Sequence, residues 1–390
     1  MKTYRIYTSI NSLPNTWDSL VQHDIFLKSP YLKALEQTTP SNIISFYVGI
    51  FKNETLVGIA YVQRVQLYLN DMFRDTKATC VQDIIKNMLS KVLQGNILVI
   101  GNLMHTGQHG ISFNEKEIDF SSFLSEVYKA LTEIKTLIKK ETGKTIRMFV
   151  FKDYFKGDAI TLETSFFKSK KLHKVLVQPN MIMETNPNWT SFSDYGAALN
   201  KKYRDRFKRA KKKFNGIVKQ ELDLGEVEKN SNTLHNLYLT VSQNAKFNTF
   251  ILPENHFFTL KQNLNDNFKV FGYFLNGELI GFYTLILNGQ NLETYFLGYN
   301  ETQQYQNQLY LNMLYDMAQF GIDNNFKNIV YARTAMEIKS SVGAKAFSMV
   351  VYLKHTNIFV NAILQSVFRF MSPKQDWVER SPFIGIRRKI

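Results

Sequence analysis

Apolar positions along this chain keep two rhythms: short runs bounded by turn residues, and longer stretches spaced by three and four. The first pattern marks strands and the second marks helices with one buried face. Ser29 to Thr38 has helical spacing through Tyr31, Leu32 and Leu35, with Ser29 as cap and Pro30 at the first helical position. A hairpin follows from Ser45 to Leu69, then an apolar strand from Asn96 to Ile100 that ends at Gly101. From Asp119 to Thr142, Phe120, Phe123, Leu124, Val127, Leu131, Ile134 and Ile138 share a face, and Gly143 stops the helix. A strand from Thr145 to Phe151 closes this series.

The same order returns further on. A hairpin from Lys269 to Asn288 leads to a strand, Leu292 to Tyr299. A helix from Gln306 to Asn324 then turns Leu309, Met313, Leu314, Met317 and Phe320 inward, and strands follow at Asn328 to Ala332 and Ala346 to Lys354. The hairpins carry a sequence repeat, Gly49-Ile-Phe-Lys-Asn-Glu-Thr-Leu-Val-Gly58 against Gly272-Tyr-Phe-Leu-Asn-Gly-Glu-Leu-Ile-Gly281. One supersecondary unit built twice is the reading. Each copy predicts two strands about a tight turn, at Asn53-Glu54 and at Asn276-Gly277. Each half is expected to form a mixed sheet with helices laid on it, an α/β (α+β mixed-sheet) architecture.

Length agrees with two halves. At 390 residues the chain suits two domains, 1–178 and 179–390. The formal net charge of +15 favours anionic partners without choosing among them. Cys80 is the only cysteine, so neither an internal disulfide nor a thiolate-rich metal site is expected. The first residues lack the apolar core of a signal peptide, and no run approaches the ~18–20 apolar residues that span a bilayer. A cytoplasmic protein is expected, with contact at the inner face of the membrane as a variant of that reading.

Much of the charge is concentrated between the halves, where nine of the thirteen residues from Lys201 to Lys213 are Lys or Arg. Phe192, Tyr195, Leu199, Tyr203, Ala210 and Phe214 give this stretch an apolar face, with Ser191 and Asp194 as cap and Gly216 as stop. Its basic face is either a solvated surface or a contact with lipid headgroups, phosphate or nucleic acid. Arg204, Arg206 and Arg209 matter most in the second case, because a guanidinium grips phosphate with two bonds.

These features, carried by Tyr31-Leu-Lys-Ala-Leu-Glu36, Val48 to Val62, Phe192 to Phe214, Val270 to Tyr299 and Tyr331 to Ala344, resemble the tandem-GNAT proteins. Within them the resemblance is to the Fem-like group, the peptidoglycan aminoacyltransferases and related acetyltransferase-like proteins. It implies two tandem GNAT-like acyltransferase domains, the first degenerate and the second holding the active cleft. It also implies transfer of an acyl group from a thioester or ester donor, acyl-CoA or another, to a small-molecule or lipid amine, in envelope or lipid synthesis. In GNAT folds the donor pyrophosphate sits at the N-terminus of the helix after the fourth strand, where free N–H groups favour anions. That loop is Asn300 to Asn307 here, so Asn300, Gln306, Asn307 and Tyr310 are the expected donor contacts. It departs from the family pattern, because no glycine lies between Gly298 and Gly321 to let a diphosphate approach the backbone.

Strand alternation puts Glu293, Tyr295 and Tyr299 on one face, with Glu293 and Tyr295 as candidate base and acid. After the strand ending at Ala332, Arg333, Thr334, Glu337, Lys339 and Ser340 gather where α/β folds place binding loops. Arg333 and Glu337 are expected in catalysis, pairing at four apart if helical, and Thr334, Lys339 and Ser340 in substrate binding. His105 and His109 lie in the glycine-rich loop Gly101 to Gly110; this loop is expected to line a cleft and hold substrate through His109, with no metal. Ile358 to Phe370 is apolar around most of its circumference, with a polar stripe at Asn357, Asn361, Gln365 and Arg369, and belongs to a core, a dimer contact or a membrane surface. Two other functions remain open: an aminoacyl-tRNA-dependent ligase, which the basic helix suits, and a non-catalytic binding protein with a dead donor site.

Overall fold

A computed structural model describes residues 2–67, 94–244, 248–371 and 377–385. Cys80, the hairpin's last residues at 68 and 69, and the side chains of Gln365 and Arg369 lie outside the described residues. The chain forms two compact units: 1–177 with 245–252 and 348–374, and 178–244 with 253–347 and 375–390.

In the first unit, β1 (Lys2–Tyr7), β2 (Ile43–Lys52), β3 (Thr55–Leu67), β4 (Gly95–Ile100) and β6 (Ile146–Phe155) lie side by side in that order, with β5 (Ile111–Phe113) beside β3. Only β4 and β6 are parallel to their neighbour in this series. The helix Phe120–Thr142 crosses between them and buries Phe123, Leu124, Val127, Leu131, Ile134 and Ile138 against the sheet. Asp119 caps it by accepting from the Ser122 N–H at 2.8 Å, and Gly143 ends it at φ 68°. Beyond β6 lies β13 (Lys345–His355), whose residues Met349 to His355 pair antiparallel with it. The last strand, expected to complete the second half, therefore pairs in the first unit.

The second unit has the order β7 (His173–Glu184, in this unit from Gln178 onward), β12 (Asn328–Val330), β11 (Asn291–Tyr299), β10 (Glu278–Asn288), β9 (Phe268–Leu275) and β8 (Ile217–Glu221). One face packs on the helix Leu309–Asp323 through Leu292, Leu297, Met313, Leu314 and Met317. The helices Leu224–Lys229, Ser231–Gln243 and His256–Leu264 also belong to this unit; the apolar pattern did not announce them.

The sequence repeat is a repeat of physical constraints. Both hairpin turns hold their two central residues at positive φ: Asn53 and Glu54 at 48° and 66°, Asn276 and Gly277 at 51° and 82°. Each hairpin carries one bulge at the same place, Val57 in β3 and Ile280 in β10. Gly49 leaves room for Phe51 and Leu56, and a Cβ there would meet both at 3.0 Å; at Gly272 it would meet Phe274 at 2.8 Å and Leu279 at 3.0 Å. Gly58 and Gly281 each admit a side chain of the crossing helix, Phe123 and Met313.

Two helices expected as continuous are broken. The basic stretch forms Phe192–Ala198, with the Ser191–Asp194 capping box, and then Lys201–Lys213. Asn200 interrupts it because its side chain caps the second piece, accepting from the Tyr203 N–H at 3.3 Å. The Gln306 to Asn324 helix divides into Glu301–Asn307 and Leu309–Asp323 at Gln308, which sits at φ 50°.

Candidate functional site

In the second unit, β11 and β12 run parallel but pair only from Asn291–Asn328 to Glu293–Val330. Past that point β12 stays with β7: the Tyr331 N–H donates to the Met181 carbonyl at 2.8 Å and the Met181 N–H to the Ala332 carbonyl at 3.1 Å. β11 instead stays with β10 as far as the Tyr299–Gly281 pair. The two strands separate, and an open cleft with strand backbone on both sides begins at Glu293 and Val330.

A bulge lies in β11 at the cleft. Leu285 pairs with Thr294 but Tyr283 pairs with Leu297, so two steps on β10 match three on β11. The Thr284 hydroxyl, fully buried, donates to the Phe296 carbonyl at 2.7 Å and secures the extra residue. The bulge shifts the alternation by one. Glu293 and Tyr295 share one face, while Tyr299 joins Leu292 and Leu297 on the face packed against Leu309–Asp323. Tyr299 is thus separated from the other two, because a sequence alternation cannot count a residue that the partner strand does not.

Glu293 is 7% exposed and Tyr295 half-buried. The Tyr295 hydroxyl lies 3.1 Å from Nε2 of His256, a fully buried histidine at the start of the helix His256–Leu264. Sequence reading missed His256, since nothing near residue 256 marks it as a neighbour of residue 295. The helix Ser231–Gln243 lies so close behind β11 that a Cβ on Gly298 would come within 2.3 Å of the Leu237 backbone carbon. Tyr238 meets Phe296 edge-on at 5.5 Å.

On the β12 side, the chain from Tyr331 to Ala335 is held in an unfavourable shape. Ala332, Thr334 and Ala335 all have positive φ, at 59°, 64° and 45°, and none is glycine. Such strain persists only where the surroundings impose it. Here Lys339 imposes it: its buried amine donates to the carbonyls of Tyr331 and Arg333 at 2.5 Å each and of Ala332 at 3.5 Å. Burial pushes that amine down to about 7. Lys339 thus faces the loop's interior instead of offering its charge to a substrate. Ser340, also fully buried, donates to the Glu337 carbonyl at 2.8 Å and accepts from the Arg380 N–H at 2.9 Å. Glu337 is exposed and pairs with the guanidinium of Arg380, not with Arg333. The helix begins only at Met336, so residues 333 and 337 never acquire helical spacing. Arg333 is half-buried and Thr334 exposed at the mouth of the strand.

The region expected to hold the donor diphosphate is occupied by the protein itself. Asn300 caps the short helix Glu301–Asn307, accepting from the Thr302 N–H at 2.9 Å and its hydroxyl at 2.7 Å. Gln306 and Asn307 both bond to Gln303. The Tyr310 N–H, in the first turn of Leu309–Asp323, is bonded by Gln304 Oε1 at 2.9 Å, and Leu309 is fully buried. At this helix end the Gln304 side chain already holds one N–H that would otherwise donate to a coenzyme A diphosphate. The Tyr310 N–H at the expected anion cradle is thus bonded within the chain.

The remaining candidates lie apart from the cleft. Arg204 donates to the carbonyls of Ala197 at 3.0 Å and Leu199 at 2.8 Å, joining the two broken helices. Arg206 is half-buried near Tyr315, whose hydroxyl burial pushes up to about 12 with Arg206 opposing the shift. Arg209 is exposed with Lys201, Lys202, Lys208, Lys212 and Lys213. Lys211 reaches the buried Asp316 carboxylate at 2.6 Å, which Tyr273 also holds at 2.6 Å. His109 belongs to the first unit, where its Nδ1 lies 2.8 Å from Asp24. Its neighbour His105 is half-buried with both ring nitrogens shielded from solvent, and desolvation lowers its pKa well below the ordinary histidine range. No group of metal-binding side chains occurs among the described residues.

No protein-family model matches the sequence, and no curated protein matches it. Solved structures do. FemX superposes with a TM-score of 0.51 at 10% identity, covering 90% of this chain and 96% of that one. A tandem GNAT protein from the clavulanic acid biosynthesis pathway, solved without AcCoA, gives 0.51 at 8% identity, covering 92% of this chain and 99% of its own. The chain has a tandem GNAT fold, the mixed α/β architecture it shares with both.

Proposed function

We propose that the protein is an N-acyltransferase whose second unit moves an acyl group from an ester or thioester donor to an amine. The observation that carries this reading is the cleft opened where β11 leaves β12, with a bulge on one wall. The acyl carbonyl would lie along β11 at the bulge, where a backbone N–H would stabilise the oxygen of the tetrahedral intermediate. Glu293 would take the proton of the attacking amine. Tyr295, its hydroxyl positioned by His256, would return a proton to the departing oxygen or sulfur. Arg333 and Thr334 would meet the substrates at the β12 wall, with Lys339, Ser340 and Glu337 holding the loop in place. The first unit would lack a donor site of its own; the loop after its β4 is tied down by Lys152, which donates to the His105 carbonyl at 2.7 Å.

A second donor is favoured by the closed anion cradle: an aminoacyl ester of tRNA, with phosphates on the exposed face of Lys201–Lys213. Radiolabelled transfer to a panel of amines, with acetyl-CoA in one arm and charged tRNA in the other, tests both. Transfer in either arm that Glu293→Gln and Tyr295→Phe abolish supports the site. Transfer unaffected by both substitutions removes it.

A further inference from the structure

The first unit contains an apolar groove of about 590 Å³ that no step above uses. Its floor is the stacked pair Phe167 and Tyr352, 3.6 Å between ring centres and 3° from parallel. Ile358 and Ala362, in the first turns of the helix Ile358–Met371, make one wall. That helix is fixed by Asn361, which donates to the Lys171 carbonyl at 3.0 Å and accepts from the His355 N–H at 2.8 Å.

Three lysines, Lys168, Lys171 and Lys174, stand at the rim, all exposed and none in an ion pair among the described residues. The Lys174 amine lies over the Tyr352 ring, 5.9 Å from its centre. An apolar floor under unpaired cations matches an anionic amphiphile, whose chain and head need those two environments. The apolar surface also continues outside the groove. Phe359 is 81% exposed, Ile358 61% and Ile363 51%, and Leu176, 59% exposed, shares the outer face of its strand with Lys174. A free fatty acid held in the groove would leave Phe359 and Ile363 in water. A bilayer would cover them and supply the anion as well.

We infer that this face docks on membranes containing anionic phospholipid, with an acyl chain entering the groove and Lys168, Lys171 and Lys174 meeting headgroup phosphate. The inference is independent of the chemistry assigned to the second unit. It is tested by flotation of the full chain with vesicles of phosphatidylcholine alone and of phosphatidylcholine with phosphatidylglycerol, across a salt series. The expected result is binding to the anionic vesicles only, weakened by about tenfold or more in the triple variant Lys168→Glu, Lys171→Glu, Lys174→Glu. Phe359→Ser with Ile363→Ser should lose it too. All five positions are exposed, so melting temperatures should stay at the wild-type value and separate lost docking from lost fold. Equal binding to neutral vesicles, or binding that neither variant changes, would overturn the inference. So would binding of free oleate in the groove with no flotation on anionic vesicles.

Discussion

Two side chains decide most of what the cleft can do. If Tyr295 delivers the proton to the leaving group, Tyr295→Phe should slow single-turnover transfer by about a hundredfold or more with the melting temperature nearly unchanged. A rate within a few-fold of wild type would assign the proton elsewhere. Lys339 makes a different prediction, about stability. Its amine, pushed to about 7 in the fold, has an ordinary value of 10.5 when unfolded. Between those values the unfolded chain holds more protons, so stability should rise as pH rises through that window. Chemical denaturation at pH 6.5, 8 and 9.5 should show this rise in the wild type and a flatter profile in Lys339→Met. Parallel profiles would mean that the carbonyls of residues 331 to 333 keep the amine charged throughout. Tyr295 was a candidate acid from strand alternation alone, but the structural role of Lys339 was not legible in sequence. Lys339 looked like a substrate cation because burial is not written in a residue's name, and His256 was invisible because only the fold brings it to Tyr295.

At the level of elements, both hairpins, the two crossing helices and the strands leading into the cleft were legible, since each rests on local periodicity and glycine turns. Three features were not. The bulge in β11 reversed the position of Tyr299, the Asn200 side chain and the positive φ of Gln308 mark breaks in helices whose apolar spacing runs on, and β13 paired in the first unit. All three depend on partners distant in sequence or on competing side-chain bonds. Two substitutions test the elements directly. Gly298→Ala should cost about 1–3 kcal/mol in denaturant unfolding, because its new Cβ meets the backbone at Leu237. A neutral effect would mean that the helix Ser231–Gln243 moves away freely. Gln304→Gly should release the Tyr310 N–H and strengthen acetyl-CoA binding in titration calorimetry. If affinity stays unchanged, Gln304 is not what closes the cradle.

On the scale of the whole molecule, one architecture is built twice, and the two copies offer different surfaces. The second unit keeps an open cleft, and the first keeps the repeat hairpin and crossing helix while carrying the basic-rimmed groove on another face. The fold was expected from the order of elements. The substrates were not, because a shared fold leaves the identity of donor and acceptor to the side chains around the site. The claim on which the rest depends is that an acyl donor lies along β11 at its bulge. Amide hydrogen exchange resolved by residue measures this, with acetyl-pantetheine, which carries the thioester arm without the diphosphate, and with a charged tRNA acceptor stem. Slowed exchange at residues 294–299 with at least one of the two is the predicted result. Unchanged exchange there with both, while transfer activity persists, would contradict it and place the chemistry elsewhere in the chain.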